Sequence, residues 1–310
     1  MQTVEVEHVA KAFGPVKAVV DVSFSAGKGE IFGLLGPNGA GKTTTIRLML
    51  DIFRPDRGKV AILGGPMSEE KKDRIGYMPE ERGLYQDIPL ERCLIHLATL
   101  KGLTKGEARR RLDELLVRFD LAAHKAKKVK ELSKGMQQKA QIIITILHRP
   151  ELIIIDEPFA ALDPVNTQLV KDVMGELRDQ GTTIIMCTHQ MHQVEELCDR
   201  ILLIDHGRNV LYGRLNDIRR RYTGNAVLVR PAGDLALDQA KESLGVAGVE
   251  GVAIHNGALK LTLCEGATPQ GVLQELVAQE VALERFEIAV PTLDEIFIQV
   301  VEEGDGGTDG

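Results

Sequence analysis

Gly36-Pro37-Asn38-Gly39-Ala40-Gly41-Lys42-Thr43 stands directly after the apolar run Ile31-Phe32-Gly33-Leu34-Leu35 and before a segment carrying Ile46, Leu48, Met49 and Leu50. The octet fits G-x-x-x-x-G-K-[ST], and a buried strand ahead with a helix behind is the context this pattern requires. Its glycines let consecutive backbone N–H groups converge on phosphate oxygens, and the helix start adds a favourable dipole. Lys42 is placed to neutralise β- and γ-phosphates, and the Thr43 hydroxyl is a candidate magnesium ligand, with Thr44 beside it as a further nucleotide contact. The loop reads as a nucleoside triphosphate site. Alone it says no more.

Downstream, Leu152-Ile153-Ile154-Ile155 is an apolar strand that ends in Asp156-Glu157. Such a strand brings both carboxylates to the carboxyl edge of a sheet, where α/β proteins bind ligands. Asp156 is a candidate magnesium residue, and Glu157 is placed to polarise an attacking water. Between the two motifs lies Leu132-Ser133-Lys134-Gly135-Met136-Gln137-Gln138-Lys139, followed by the apolar run Ile142 to Leu147. A serine and a glycine at a helix start present a second anion-binding N-terminus.

Outward from these motifs, Val4, Val6 and Val9, then Val20, Val22 and Phe24, alternate with polar residues around a Gly14-Pro15 turn, the pattern of antiparallel strands. The helix begun near Gly41 should end before Pro55. From about Leu84 to Pro150 the chain reads as mostly helical. Thr104 and Glu107 have capping-box spacing, and Ala108, Leu112, Leu115, Leu116 and Phe119 form one stripe. Strands are expected at Thr182 to Thr188 and Arg200 to Asp205, with a hairpin at His206-Gly207-Arg208. A helix between the acidic strand and Thr182 should turn Leu169, Val173 and Leu177 inward. Alternating buried strands and helices imply an α/β domain with a largely parallel sheet.

Near Tyr222-Thr223-Gly224 the pattern changes to short alternating strands at Val227 to Arg230, Val252 to Ile254, Leu259 to Leu263 and Phe286 to Val290. Asn256-Gly257 is a hairpin turn. Thr268-Pro269 and the Thr292/Glu295 capping box each start a helix. The expected order is βαββαβ with a final helix, an α+β domain over 223–303, followed by a disordered tail at 304–310.

With these motifs in this order, residues 1–222 resemble the ATP-binding cassette ATPases: a P-loop NTPase cassette with an antiparallel β subdomain and a helical subdomain at about 84–150. In that resemblance Ser133 and Gly135 belong to the signature sequence and contact the γ-phosphate of ATP held by the opposite subunit. Ala161-Leu162-Asp163 resembles the D-loop, in which Asp163 communicates across the dimer. Thr188-His189 resembles the switch loop, in which His189 contacts the γ-phosphate. Phe13 matches the aromatic that stacks on adenine, for which a phenyl face serves.

The chain also departs from the family pattern. Glu80, after Ile75-Gly76-Tyr77-Met78-Pro79, stands where a glutamine is usual and is a candidate ligand-side residue facing magnesium or water. Lys134 and Met136 replace the glycine and glutamine of the commonest signature. Glu80 to Tyr85, the Lys-Gly-Met signature and the C-terminal domain resemble the bacterial type-2 exporter ATPases, sodium- and drug-export-like systems among them.

The resemblance implies a dimer, here a homodimer, closed on ATP and Mg2+ and coupled to separate transmembrane permease subunits. About Tyr77 to Leu100 would receive a cytoplasmic helix of that partner. Composition fits a globular chain: 310 residues, 44% hydrophobic and 27% charged, with no apolar run near the roughly 20 residues a bilayer span needs. The N-terminus lacks a secretory leader, so the expected place is the cytoplasm, peripheral on the membrane's inner face. A net charge of −7 argues against nucleic acid as the main partner. The clusters Arg109-Arg110-Arg111, Lys125 to Lys130 and Arg219-Arg220-Arg221 read as solvated helix faces. Four scattered cysteines form neither a zinc nor a disulfide framework. A soluble cassette ATPase serving nucleic acid or ribosomes is the alternative, disfavoured by the single cassette and the lack of a heptad arm.

Overall fold

The computed structural model describes residues 2–81, 83–232 and 245–305. The chain divides into two compact units, Met1–Leu215 and Asn216–Gly310.

In the first unit, β1 (Gln2–Phe13) and β2 (Val16–Gly27) form the expected antiparallel hairpin, turning at Gly14 with φ 58°. Their alternation buries Val4, Val6 and Val9 against Val19, Val22 and Phe24. All five residues of β3 (Ile31–Leu35) are buried, as expected of a strand covered on both faces. After α1 (Lys42–Met49), β4 (Arg57–Ile62) adds an antiparallel edge to β1. α2 (Glu69–Lys72) then leads to β5 (Ile75–Met78). These three short elements carry little periodicity and were not among the expected ones.

The helical stretch holds α3 (Leu90–Leu100), α4 (Lys105–Arg118) and α5 (Lys134–Leu147), with short 3-10 turns at Ala122–His124 and Val129–Glu131. Thr104 caps α4, its hydroxyl accepting from the Glu107 N–H at 3.3 Å. Ala108, Leu112, Leu116 and Phe119 are buried, and Leu115 is half-buried. There follow β6 (Leu152–Asp156), α6 (Pro164–Asp179), β7 (Thr183–Cys187), α7 (Met191–Leu197), β8 (Arg200–Asp205) and β9 (Arg208–Arg214). The inward stripe of α6 differs from expectation. Val170, Val173 and Met174 are buried, while Leu169 and Leu177 are only half-buried. Asp163 caps this helix and sets its start, so the face turned to the sheet is centred one residue later.

The sheet order is β4-β1-β2-β9-β8-β3-β7-β6-β5. β8, β3, β7, β6 and β5 run parallel, with Leu34 opposite Cys187 and Cys187 opposite Asp156. That register brings the chain segments leaving β3, β6 and β7 to one edge, side by side. The hairpin from β8 to β9 turns at His206 (φ 44°) and Gly207 (φ 72°), the left-handed pair of a two-residue hairpin loop.

Around the second unit, α8 (Leu215–Tyr222) precedes β10 (Ala226–Pro231), β11 (Val249–His255) and β12 (Ala258–Leu263). α9 (Pro269–Ala278), β13 (Leu283–Ile288) and α10 (Leu293–Asp305) complete it. The antiparallel order is β11-β12-β10-β13, over a core of Val227, Val229, Leu259, Leu261, Leu263, Val272 and Leu276. Asn256 and Gly257 make the expected turn, with φ 47° and 76°. β13 lies earlier than Phe286 to Val290, because its pairing with β10 starts at Leu283 opposite Pro231. The helix expected between the first two strands would fall on 233–244, outside the described residues. Of the tail, Gly304 and Asp305 belong to α10, and 306–310 lie outside the described residues.

Candidate nucleotide site

The glycine loop is shaped by close approach. Gly36 (φ 145°), Gly39 (φ 83°) and Gly41 (φ 107°) all have left-handed backbone. A Cβ on Gly36 would lie 2.1 Å from the Ile204 carbonyl oxygen, and one on Gly41 2.5 Å from that of Ala18. Only glycine fits there. Gly207 N–H donates to the Ala40 carbonyl at 2.9 Å, and Val20 N–H to the Gly207 carbonyl at 2.8 Å, locking loop, hairpin and strand together. No side chain caps α1, so its first-turn N–H groups have no capping partner and suit an anion. Lys42 folds over the loop, donating Nζ to the carbonyls of Gly36 (2.8 Å) and Pro37 (3.0 Å).

A cleft of about 580 Å3 gathers Asn38, Gly39, Gly41, Lys42, Thr43 and Thr44. Across it stand Glu80, Asp156, Glu157 and His189. Gly36, Pro37 and Ala40 belong to the same loop but do not line the cleft. Val16, Lys17 and Ala18 form one wall, a set the sequence reading did not single out. They follow Phe13, which pairs with Val16 across the hairpin, is 42% exposed and meets Phe53 edge-on at 5.1 Å.

Asp156 is 4% exposed at the end of β6. Burial pushes its carboxyl upward, a Cys187 hydrogen bond opposes that, and the charges of Glu80 and Glu157 add to the rise while Lys42 offsets part of it. Burial likewise pushes the Cys187 thiol up, and the neighbouring Asp156 charge adds to it. Glu157 has φ 53°, and its side chain is held on both oxygens. Oε2 accepts from the Thr188 hydroxyl at 3.0 Å, and Oε1 accepts from the His189 N–H at 3.0 Å. The His189 Nδ1 lies 2.7 Å from the same Oε1.

Among the described residues, no three His, Cys, Asp or Glu side chains converge to hold a metal by themselves. The oxygen donors present, the Thr43 hydroxyl and the buried Asp156 carboxylate with Glu80 nearby, do fit Mg2+, which keeps several waters and binds through one or two protein ligands plus phosphate.

Ser133, Gly135 and Asp163 do not line this cleft. Ser133 is the exposed N-cap of α5, its Oγ accepting from the Met136 N–H at 3.2 Å. Gly135 packs on the loop after Glu157, and a Cβ there would lie 2.9 Å from the Ala161 carbonyl oxygen. Asp163 is exposed, and hydrogen bonds from the Asn166 backbone and side chain hold its carboxyl below the usual range.

Residues 19–160 match the family described as ABC transporter, and residues 213–301 match that of the ATP-binding protein DrrA1-3-like C-terminal domain. The ABC transporter ATP-binding protein YhaQ of Bacillus subtilis is 38% identical over 96% of this chain and 97% of its own. The daunorubicin resistance ATP-binding protein DrrA3 of Streptomyces coeruleorubidus is 32% identical, covering 96% of this chain and 95% of its own. The linearmycin resistance ATP-binding protein LnrL of Bacillus subtilis is 32% identical, covering 96% and 97%. A solved ATP-binding subunit of an ABC transporter superposes with a TM-score of 0.67 at 35% identity, covering 71% of this chain and 93% of that one.

Proposed function

This chain belongs to the ABC transporter family as an ATP-binding and ATP-hydrolysing subunit, and from that premise we propose that two copies close on two ATP molecules, with magnesium, to drive export through separate membrane subunits. Each ATP would lie between Lys42, Thr43 and Thr44 of one copy and Ser133 and Gly135 of the other. The observation that carries this reading is that the exposed, Ser133-capped start of α5, a 14-residue helix, does not line the cleft of its own chain. A two-fold related copy supplies it, and such isologous pairs are the commonest oligomers. Phe13 stacks on the base, and Asp163 meets the partner copy.

In the chemical step, Glu157 polarises a water whose oxygen bonds to the γ-phosphorus. The bond from that phosphorus to the bridging oxygen breaks, ADP leaves, and the water's proton passes to the carboxylate. His189 and Thr188 hold Glu157 for this. Thr43 and Asp156, with Glu80 beside them, would hold Mg2+, which when bound neutralises charge on the phosphates. Loss of the γ-phosphate removes the differential contacts that favour the closed pair, so hydrolysis reopens it.

The resistance named in two relatives supports an export direction and a drug-like cargo. Among the described residues no helix is long and apolar enough to cross a membrane. The chain would sit as a peripheral subunit on the cytoplasmic face, attached to its permease. Residues 223–303 would act as an accessory domain. The test is light scattering of the full chain carrying Glu157→Gln. ATP should convert monomer to dimer and hold it there, whereas monomer alone at saturating ATP would contradict the reading.

A further inference from the structure

Gln138, on the second turn of α5, is 5% exposed and directs its amide at main-chain carbonyls rather than at a side chain. Its Nε2 donates to the carbonyl oxygens of Glu157 at 3.0 Å and Pro158 at 3.1 Å. Both protons of the NH2 group are thereby used. The opposite side of the same residue is also fixed, because the Glu157 N–H donates to the Cys187 carbonyl at 2.8 Å. Between these anchors Glu157 has φ 53°, a left-handed backbone that is unfavourable for a non-glycine residue. Such a conformation persists only when its surroundings over-determine it.

The left-handed turn sets the direction in which the Glu157 side chain leaves the sheet edge. Thr188 and His189 hold the far end of that side chain, but nothing in their bonds dictates the backbone. β7 holds the N–H and α5 holds the carbonyl. Without the amide, the half-buried Glu157 carbonyl and the buried Pro158 carbonyl lose this donor, and the Glu157 oxygen keeps the local turn contact from the Ala160 N–H at 3.3 Å. The peptide would then be free to relax out of the left-handed region.

We infer that Gln138 is a positioning residue for hydrolysis, fixing the backbone turn that aims the Glu157 carboxylate. It does so from the helix whose first residues carry Ser133 and Gly135, so the phosphate-facing tip of α5 and the carboxylate aim are tied within one chain. The inference rests on the reading of Glu157 as the water-polarising group.

Two variants of the full chain test it with magnesium and ATP. Gln138→Met keeps the length and packing but removes both donors. Gln138→Glu keeps the shape and sets a carboxylate against two carbonyls. A displacement near 1 Å at a reacting group costs roughly 100-fold in rate, so kcat should fall by about that factor in both. The ATP dissociation constant should stay within about twofold of the parent, since the lost contact acts on the chemical step. Either kcat within about threefold of the parent in Gln138→Met, or affinity lost in step with turnover in both variants, would overturn the inference and make Gln138 a packing residue. Glu157→Gln is measured alongside. If it is inactive while the Gln138 variants are normal, only this inference falls. If it turns over normally, the reading of Glu157 falls too.

Discussion

His189 meets Glu157 at a single oxygen twice, through its backbone N–H at 3.0 Å and through Nδ1 at 2.7 Å. The Glu157 side chain is only 11% exposed while that of His189 is 68% exposed, so the ring fixes the carboxylate from the open side of the cleft. Since a carboxylate only accepts, Nδ1 is the donor in that contact, which fixes the tautomer and the orientation of the ring. His189→Ala removes one of the carboxylate's restraints. Steady-state ATPase measurements should show kcat reduced by about 100-fold, a larger loss than any change in ATP affinity.

Glycine replacements separate the phosphate loop from ordinary helix positions. Gly36→Ala forces a Cβ against the Ile204 carbonyl at 2.1 Å in a left-handed backbone. It should lower stability by about 2–4 kcal/mol in a urea melt and abolish ATP binding. Gly175, inside α6, has nothing within 4 Å of its added Cβ. Gly175→Ala should raise stability by about 0.5–1 kcal/mol and leave ATPase activity unchanged.

Glu80 raises the Asp156 carboxyl by its charge, beyond the larger effect of burial. Glu80→Gln should lower the Asp156 pKa. A carboxylate that stays ionised to lower pH binds its cation there too, so the acid limb of the magnesium-dependent rate should move to lower pH. Unchanged pH and magnesium dependence would show that Glu80 does not act on this cleft.

His148 gives the fold a pH dependence distant from the chemistry. Burial and the nearby Lys101 charge depress its pKa to about 4, although its ring contacts the Ile75 carbonyl at 3.2 Å. The unfolded imidazole takes up a proton near pH 6.5 and the folded one only near pH 4, so between these values the unfolded state binds more protons. Stability from this group is therefore complete above about pH 6.5 and is lost as pH falls toward 4, by up to about 3 kcal/mol. His148→Phe should flatten that part of a denaturation-versus-pH curve.

The motifs were legible because their physics is local. Gly36 to Thr43 announces its turn by glycine spacing, Leu152 to Asp156 its burial by an unbroken apolar run, and Asn256-Gly257 its hairpin by left-handed preference. β4 and β5 were not legible, since they are short and gain their pairing from strands distant in the chain. The α6 stripe was misplaced because Leu169 and Leu177 suit a core as well as Val170 and Met174 do, and only the cap at Asp163 sets the rotation. The role of Gln138 is not legible for a different reason. Its bonds to Glu157 and Pro158 join residues 19 and 20 apart, and a side chain donating to a backbone leaves no pattern in the partner residue's identity. The wall formed by Val16, Lys17 and Ala18 was missed likewise, because it exists only through the way the hairpin lies over the loop.

The proposed closure is tested most directly by cross-linking two differently marked chains, one carrying Asn38→Cys and the other Ser133→Cys, both with Glu157→Gln and Cys264→Ser. Three native cysteines, Cys93, Cys187 and Cys198, are buried and do not compete. A disulfide requires Cα atoms within about 7 Å, so it reports the loop of one chain beside the helix tip of the other. The account predicts a covalent heterodimer on mild oxidation with ATP and magnesium, and far less with ADP. No cross-link with ATP, or the same yield with and without nucleotide, would contradict it.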